Sequence, residues 1–252
     1  MTTIDDVVRL LAGRSRILVF TGAGISTESG IPDFRGPDGV WTRVDPEDFT
    51  IDRYLIDPEV RRRSWMGRAA AGFLDALPNQ GHFAVTRLWE AGVMVGCVTQ
   101  NVDGLHSAAG LPGEALVELH GTASTTSCIT CEATVGTREV MARIASGDDD
   151  PACRECGGIL KADVVFFGEA LPARAMERAM AWAGTADAVI TVGTTLSVFP
   201  ATAIPLEVAD RGNPFVIINR GPTDLDPIAD LVVDAAAGEA LSRLVAGMAL
   251  PT

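Results

Sequence analysis

The stretch from Val19 to Arg35, VFTGAGISTESGIPDFR, constrains the fold more than any other part of this sequence. The apolar run Ile17–Phe20 leads into Gly22-Ala23-Gly24, which is the pattern of a buried strand that turns into a phosphate-binding loop. Glycines at positions 22 and 24 let the backbone approach a pyrophosphate closely. A lone Gly-x-Gly predicts no more than a tight turn, but the polar sequence GIPDFR that follows is unsuited to a core helix. We therefore interpret this stretch as a dinucleotide-binding loop.

The loop departs from the usual dinucleotide fingerprint. The third glycine of that fingerprint falls at Thr27, and the acidic residue expected about 20 residues later has to be Asp45, Glu47 or Asp48. These carboxylates lie in the stretch Val40–Thr50, which contains proline and has no apolar run to form a second strand. The sequence therefore predicts a dinucleotide bound by a modified loop, and it disfavours a hydride-transferring dehydrogenase.

The chain has 252 residues and a formal net charge of −13. Nucleic acid is a poor match for this charge, because phosphate binding relies on lysine and arginine. A lysine-rich protein segment suits it better, although acidity that only keeps the protein in solution explains it equally well. No stretch approaches the roughly 20 apolar residues of a membrane span, and residues 1–15 lack the pattern of a signal peptide. We expect a cytoplasmic protein that binds neither membranes nor nucleic acid directly.

Apolar runs recur along most of the chain and alternate with segments of helical spacing. Because such alternation joins parallel strands by crossover helices, it predicts a largely parallel sheet that is covered on both faces. Two stretches, Trp41–Leu77 and Thr122–Lys161, break this rhythm, and we expect them to form a smaller second domain. The predicted strands are Ile17–Phe20, Val93–Val98, Leu116–Leu119, Val164–Phe167, Ala188–Val192, Phe215–Ile218 and Leu231–Val233.

Polar residues cluster where these predicted strands end. Ligands of open parallel sheets bind at the carboxyl ends of the strands, so loops that follow successive strands line one crevice. Each loop alone is explained by turn chemistry, because Asn, Asp, Gly and Thr favour turns. Their joint placement instead predicts one composite site. The loops are GAGIS (residues 22–26), TQNVD (99–103), HG (120–121), FGE (167–169), GTT (193–195) and NR (219–220).

Four of the five cysteines form the pairs Cys128-x2-Cys131 and Cys153-x2-Cys156. The 21 residues between the pairs slightly exceed the usual zinc-ribbon spacing, but each pair can supply two thiolates to a tetrahedral metal. Disulfides form poorly in a reducing compartment, and a thioredoxin-like redox site needs only one such motif. We therefore predict one zinc ion held by four thiolates. Because its coordination is full, its role is structural.

Of the three histidines, His120 is the best candidate for a general base near neutral pH. It ends a predicted strand at the edge of the crevice, and Gly121 beside it keeps the approach open. His82 stands at a predicted helix start and His106 follows the TQNVD loop. We interpret both as structural residues.

The order and spacing of these motifs resemble those of the sirtuins over nearly the whole chain, with a bacterial-type single catalytic core. The shared motifs are GAGIS, GIPDFR, TQNVD, LHG, the paired CxxC motifs, VVFFGE and GTTLSVFPA. The resemblance implies an α/β fold, in which a Rossmann-like, doubly wound parallel sheet is joined by a second, smaller helical and zinc-ribbon domain. It assigns residues 1–40, 78–121 and 162–252 to the NAD-binding domain, and residues 41–77 and 122–161 to the small domain.

The resemblance implies that several segments bind NAD as a co-substrate. The glycine loop is expected at the pyrophosphate, the TQNVD residues around the nicotinamide ribose, and Gly193, Thr194 and Asn219 on the adenosine side. Phe34 is expected to cover the reacting face and exclude water. The implied cofactor-binding residues are Gly22, Ala23, Gly24, Asp33, Phe34, Arg35, Gln100, Asn101, Asp103, Gly193, Thr194, Thr195, Asn219 and Arg220.

By the same resemblance, the chain is an NAD-dependent protein-lysine deacylase with His120, Asn101 and Asp103 as catalytic residues. In the family reaction the acyl-lysine carbonyl oxygen attacks the ribose carbon as nicotinamide leaves. His120 then takes a proton from a ribose hydroxyl. The products are free lysine, nicotinamide and O-acyl-ADP-ribose, and zinc takes no part in the chemistry.

The resemblance further implies that Val164–Glu169 pairs with an acyl-lysine peptide as an added strand. Trp65 and Arg68 stand where succinyl-preferring sirtuins carry a tyrosine and an arginine. Because Trp65 replaces the phenol with a bulky apolar wall, we expect acetyl as the default acyl group, a longer apolar acyl second and succinyl third. The implied substrate-binding residues are Val164, Val165, Phe166, Phe167, Gly168, Glu169, Trp65 and Arg68.

Other functions stay open from the sequence. The same site could transfer ADP-ribose to a protein acceptor, or it could remove longer acyl groups such as lipoyl. A catalytically silent NAD or ADP-ribose sensor is a further alternative. The joint presence of His120, Asn101 and Asp103 disfavours that alternative.

Overall fold

The computed structural model describes residues 2–248 and residue 250, and its strands form one six-stranded and one three-stranded sheet. No helix within these residues has the length and apolar character that a membrane crossing requires. The strands are β1 (Ile17–Thr21), β2 (Met94–Thr99), β3 (Leu116–Glu118), β4 (Gly121–Cys128), β5 (Thr134–Gly136), β6 (Leu160–Val164), β7 (Ala188–Val192), β8 (Phe215–Asn219) and β9 (Leu231–Asp234). The α-helices are α1 (Ile4–Leu10), α2 (Ile51–Ile56), α3 (Pro58–Ala71), α4 (Gln80–Glu90), α5 (Leu105–Ala108), α6 (Thr137–Ala145), α7 (Ala173–Ala183), α8 (Ala203–Asp210) and α9 (Ala237–Gly247).

The six-stranded sheet is parallel and has the strand order β3-β2-β1-β7-β8-β9. From β1 the chain builds outward through β2 and β3, and it later returns to the other side of β1 with β7, β8 and β9. The strand order therefore reverses between β1 and β7. Such a switch point leaves a crevice at the carboxyl ends of the strands, where ligands bind. The predicted doubly wound parallel sheet is confirmed.

Strand β1 shows why helices cover both faces of this sheet. All five of its residues are buried. Ile17 and Val19 belong to the apolar cluster that α1, α4 and α9 cover, whereas Leu18 and Phe20 belong to the cluster that α7 and α8 cover. Because successive side chains of a strand point to opposite faces, an unbroken apolar run fits a strand only when both faces are covered.

The three-stranded antiparallel sheet packs with α2, α3 and α6 around a separate apolar cluster. This cluster includes Tyr54 of α2, Trp65 of α3 and Val140 of α6. The buried hydroxyl of Tyr54 donates to the carbonyl oxygen of Leu160 in β6 at 2.7 Å. The helical stretch 51–71 and the cysteine-containing stretch are thus joined by apolar packing and a buried hydrogen bond.

One predicted strand is wrong. Val164–Phe167 is not a strand of the parallel sheet, because the strand there is β6, which pairs antiparallel with β4 in the small sheet. In β6 the residues Leu160, Ala162 and Val164 are buried while Lys161 and Asp163 are less so. This alternation is typical of an antiparallel strand with one covered face. The unbroken apolar run VVFF at residues 164–167 instead suggested a strand buried on both faces. The domain limit predicted at residue 162 falls inside β6, and the domain limits stay a prediction.

Candidate active site

The loop after β1 packs tightly against the loop after β7. A Cβ atom on Gly24 would lie 2.7 Å from Cα of Gly193, and one on Gly22 would lie 2.8 Å from the Gly193 carbonyl oxygen. Gly193 has a φ of +62°, in the left-handed region that favours glycine. The packing of the two loops therefore requires glycine on both sides of this contact, whichever ligand they hold.

A cavity of about 390 Å³ opens beside this contact. Gly24 and Thr27 line it from the β1 side, and Asn219 and Arg220 line it from the loop after β8. Nδ2 of Asn219 donates to the carbonyl oxygens of Arg220 at 3.1 Å and of Gly221 at 3.0 Å, which leaves Oδ1 as an acceptor. The lining includes five of the predicted cofactor-binding residues: Gly24, Asp33, Gly193, Asn219 and Arg220.

A polar cluster lies where the loops after β1 and β2 meet. Oγ of Ser26 donates to Oδ2 of Asp103 at 2.7 Å and accepts from Nδ2 of Asn101 at 3.1 Å. Oδ1 of Asp103 accepts from the amide of Leu105 at 2.9 Å. Asn101 and Asp103, which the resemblance assigns to catalysis, therefore share one hydroxyl partner that holds both side chains in place.

A buried chain of hydrogen bonds lies behind this cluster. Thr21 donates its hydroxyl proton to Oγ1 of Thr99 at 2.8 Å, and the amide of Asn101 donates to the same oxygen at 3.0 Å. Nε2 of His106 lies 3.0 Å from Oγ1 of Thr21 and is the donor there, because the Thr21 proton is already engaged. The ends of β1 and β2 and helix α5 are thus tied together. Burial lowers the pKa of His106 to about 3, so its imidazole is neutral at physiological pH.

His120 follows β3 at the same edge of the sheet. Its Nδ1 lies 2.8 Å from the carbonyl oxygen of Gln100. Because a carbonyl oxygen only accepts, Nδ1 carries the proton and Nε2 carries the lone pair. Burial lowers the pKa of His120 below its usual 6.5, and the bond to Gln100 opposes this shift. The imidazole is therefore neutral near pH 7 and can accept a proton at Nε2.

The predicted peptide-binding segment, Val164–Glu169, begins in β6 and is joined to His120 through the backbone. The amide of Val165 donates to the carbonyl oxygen of His120 at 2.9 Å, and the amide of Phe167 donates to that of Phe49 at 2.9 Å. Because this segment does not follow a strand of the parallel sheet, the FGE loop comes to the site from the small sheet. The prediction of six loops after parallel strands is therefore wrong for this one.

An aromatic cluster borders this segment. The ring of Trp41 lies 5.1 Å from that of Phe34, 4.8 Å from that of Phe49 and 6.2 Å from that of Phe167, measured between centroids. Phe34 and Phe167 remain 38% and 46% exposed, so they present an apolar surface to solvent beside the site. This cluster joins the GIPDFR segment to the FGE segment.

Trp65 and Arg68, the residues predicted to contact the acyl group, lie on α3 near Phe166. Trp65 is buried, and its Nε1 has no hydrogen-bond partner within the described residues. The Arg68 guanidinium lies 6.0 Å from the Phe166 ring centroid, and burial lowers its pKa. Among the ion pairs of residues 2–248, the nearby Arg61 has a partner in Asp150, whereas Arg68 has none.

The four predicted metal ligands meet at one point of the small sheet. The Sγ atoms of Cys128, Cys131, Cys153 and Cys156 lie within 4.8 Å of one another. The Sγ distance is 3.5 Å between Cys128 and Cys156, and 3.7 Å between Cys131 and Cys153. Zinc–sulfur bonds of about 2.3 Å in a tetrahedron separate the sulfurs by about 3.8 Å. The donor set therefore fits one four-coordinate zinc ion.

Comparison with known proteins agrees with this geometry. The family model described as the Sir2 family matches residues 22–200. The chain belongs to the Sir2 family. Over 94% of its length it is 43% identical to NAD-dependent protein deacetylase 2 of Streptomyces coelicolor, and the match covers 100% of that protein.

Solved Sir2 structures have the same fold as this chain. A Sir2 variant with a deacetylated p53 peptide and 3′-O-acetyl ADP-ribose matches with a TM-score of 0.92 and 33% identity, over 99% of this chain and 100% of that one. A Sir2 complex with a p53 peptide and NAD+ matches with a TM-score of 0.86 and 34% identity, over 97% and 98% of the two chains.

In this Sir2-family chain, several residues that hold the site together were given no role from the sequence alone. Ser26 is the fifth residue of GAGIS, and a hydroxyl so close to a glycine loop could have indicated a residue of the site. Thr21 and Thr99 each end an apolar strand, so their polarity at matching positions was a second signal. Trp41 carried no signal, because only the fold brings it against Phe34.

Proposed function

We propose that this chain is an NAD-dependent protein-lysine deacetylase. It removes the acetyl group from a lysine side chain of a protein or peptide and yields nicotinamide, O-acetyl-ADP-ribose and free lysine. The observation that carries this proposal is the neutral His120 with its lone pair on Nε2, at the strand-end edge that also holds Asn101 and Asp103. The deacetylases named among its relatives support it.

The cavity residues fit NAD. The tightly packed glycine loops offer backbone groups for a pyrophosphate, Oδ1 of Asn219 accepts a hydrogen bond from a ribose hydroxyl, and Arg220 adds a positive charge. Ala235, Ala236 and Ala237 give an apolar wall for the adenine ring. When bound, NAD supplies the ADP-ribosyl group that accepts the acyl oxygen and releases nicotinamide.

The side chains of this protein then have separate tasks. His120 accepts a proton at Nε2, and its Nδ1–H bond to Gln100 keeps the ring in that orientation. Ser26 fixes the amide of Asn101 and the carboxylate of Asp103. Phe34 limits the access of water to the reacting face. The four cysteines hold zinc in a closed site, which stabilises the small sheet and takes no part in the reaction.

The partner of this site is an acyl-lysine peptide, which we place along Val164–Glu169. The net charge of −13 favours peptides with basic neighbours and disfavours nucleic acid. We place the protein in the cytoplasm, because free thiolates for zinc persist in a reducing compartment.

Nicotinamide release tests the proposal directly. We expect release from NAD that depends on an acetyl-lysine peptide, with O-acetyl-ADP-ribose formed in equal amount. Release without the peptide, with ADP-ribose attached to a protein, would indicate an ADP-ribosyltransferase. NAD binding without any release would indicate a sensor.

The same assay, run on one peptide with acetyl, succinyl or a fatty acyl group, tests the expected order of acyl groups. We expect kcat/KM to be highest for acetyl, then for the longer apolar acyl, then for succinyl. Arg68 has no ion-pair partner among residues 2–248 and offers one to the succinyl carboxylate, so it is the residue to test. If succinyl wins and Arg68→Met abolishes its advantage, the expected order is wrong.

A further inference from the structure

Lys161 is the only lysine in a sequence with 20 lysine and arginine residues. It lies in β6, and its side chain is 14% exposed. Nζ donates to the carbonyl oxygen of Val164 at 2.7 Å and to Oε2 of Glu169 at 3.0 Å. It also lies 5.0 Å from the centroid of the Phe166 ring. The ammonium group therefore contacts the last residue of its own strand, Val164, and two residues of the segment that follows, Phe166 and Glu169.

Glu169 closes this segment into a turn. Its amide donates to the carbonyl oxygen of Phe166 at 3.0 Å, and its Oε2 accepts from the amide of Phe166 at 2.7 Å. Gly168 has a φ of +90° within the turn. Oε2 of Glu169 thus accepts from both Lys161 and Phe166, so the ion pair is part of the turn and not an addition to its surface.

The rest of the segment is held by backbone bonds. The amides of Val165 and Phe167 donate to the carbonyl oxygens of His120 and Phe49. The carbonyl oxygen of Val165 and the amide of Gly168 have no hydrogen-bond partner within residues 2–248. These are the backbone groups with which an added strand can pair, and they lie inside the part of the chain that Lys161 and Glu169 hold.

We propose that Lys161 and Glu169 are positioning residues for the peptide substrate. Their ion pair fixes the turn 166–169, so that the Val165 carbonyl and the Gly168 amide are aligned for a peptide strand before the peptide arrives. This inference rests on the proposed deacetylase function. It goes beyond it by assigning peptide affinity to a side-chain pair that does not line the cavity we assign to NAD.

The partial burial of the pair makes its loss measurable. Exposed ion pairs contribute little, but removing one partner of a pair with exposures of 14% and 26% leaves an uncompensated charge among apolar groups. The turn then relaxes toward conformations that satisfy the remaining charge with water. Peptide binding has to reorder the turn, so the cost appears in peptide affinity.

The test compares Lys161→Met with Lys161→Arg by steady-state kinetics of peptide deacetylation. Methionine keeps an unbranched apolar stem, whereas arginine keeps the charge and donors to Glu169. We expect Lys161→Met to raise the KM for peptide about tenfold, with the KM for NAD and kcat within about twofold of wild type. We expect Lys161→Arg to restore the peptide KM. Arg138→Met, which removes an exposed ion pair of α6, serves as the matched control.

A second variant keeps the test decisive if Lys161→Met folds poorly. Glu169→Gln retains an acceptor for the Phe166 amide but removes the charge, and it should raise the peptide KM by a similar factor. If the two residues act as a pair, the double variant is no worse than either single variant. A merely structural role predicts instead a lower melting temperature and a parallel loss for NAD and peptide.

The outcomes separate this inference from the proposed function. If wild-type protein shows no peptide-dependent nicotinamide release, the proposed function fails. If wild type is active and neither Lys161→Met nor Glu169→Gln changes the peptide KM by more than twofold, the positioning inference is overturned. A parallel rise in both KM values, or no rescue by arginine, also overturns it.

Discussion

His120 differs from the other two histidines in which ring nitrogen carries the proton, and the difference follows from their hydrogen-bond partners. Nδ1 of His82 accepts from the amide of Asn79 at 3.2 Å, so its proton is on Nε2, as in His106. In His120 the carbonyl of Gln100 places the proton on Nδ1. Burial lowers the pKa of all three, for His82 to about 4. His120 alone therefore combines a neutral ring with an Nε2 lone pair at the edge of the sheet.

Replacing His120 by alanine should reduce deacetylation by roughly 10²-fold or more, the range expected for a lost general base. NAD affinity should change little, because the cavity lining does not include His120. Steady-state kcat/KM and calorimetric NAD binding measure the two quantities. Near wild-type turnover in the variant would contradict the assignment.

The pH profile gives an independent check on the same residue. Because the base form of His120 is neutral and burial lowers its pKa, activity should fall on the acid side, with the midpoint of that fall below the usual imidazole value of 6.5. The sign follows from protonation of Nε2 as the pH drops through the lowered pKa. An acidic limb with its midpoint above pH 6.5 would be inconsistent with the neutral, buried ring.

The buried hydroxyl of Thr99 is a second target at the residue scale. Thr99→Val keeps the shape but leaves the Asn101 amide and the Thr21 hydroxyl without their acceptor. We expect a loss of about 1–3 kcal/mol in the free energy of unfolding, together with weaker NAD binding. Thr99→Ser keeps the hydroxyl and is the matched control. Equal losses in the two variants would show that the hydrogen bonds contribute nothing.

Among the elements, the small sheet depends most on a group outside the polypeptide. Four cysteine thiols meet at the end of β4, in the turn that follows it and in the loop before β6, and the sheet has only three strands. Metal binding to such a site is coupled to folding, because the ligands are not assembled in the unfolded chain. The element is therefore expected to be stable only with its zinc.

Metal analysis should find one zinc ion per chain. Removal with a strong chelator should unfold the small sheet and abolish deacetylation. The parallel sheet has a separate core, so the helices that cover it should keep most of their circular-dichroism signal. Readdition of zinc should restore activity. Full thermal stability in chelator, or a preparation without zinc that remains active, would contradict a structural metal.

Helix α7 packs on the parallel sheet through several apolar residues, and one of its contacts is a very close approach. A Cβ atom on Gly96 of β2 would lie 2.4 Å from the ring of Trp182 in α7. Gly96→Ala should therefore destabilise the protein by about 1–3 kcal/mol, the usual cost of overpacking. Denaturant unfolding measures the loss. Gly67→Ala in α3, where nothing lies within 4 Å of the added Cβ, is the control and should not destabilise.

At the scale of the whole molecule, the charge of −13 acts on every approaching peptide. Local ion pairs such as Arg61 with Asp150 leave the overall excess of acid in place. An acidic surface attracts basic peptides over distances up to the Debye length of about 10 Å at 0.1 M salt. Charge therefore influences which peptides reach the site, independently of the chemistry within it.

An acetyl-lysine peptide with arginine neighbours should have a lower KM than the same peptide with glutamate neighbours. The difference should be on the order of tenfold at low salt and shrink as salt is added, because salt screens exposed charges. Kinetics at a series of salt concentrations measure both effects. A difference that salt does not change would point to specific contacts instead of the overall charge.

Much of this site could be predicted from local sequence. The glycine loop, the paired cysteines and His120 are recognisable because their chemistry depends on short spacings within one segment. The prediction failed at Val164–Phe167, where a buried apolar run was read as a parallel strand. Periodicity over a few residues cannot tell which sheet a strand joins, because the partner, β4, lies far away in the sequence.

Apolar periodicity and ligand spacing are properties of neighbouring residues, so the parallel sheet, the four-cysteine cluster and the candidate base could be predicted without the fold. The contacts between distant segments became apparent only in the folded molecule. These are the packing of Gly24 on Gly193, the sharing of Ser26 by Asn101 and Asp103, and the proton on Nδ1 of His120. Each depends on a partner from a distant part of the chain that comes close only on folding, so a short sequence pattern cannot predict it.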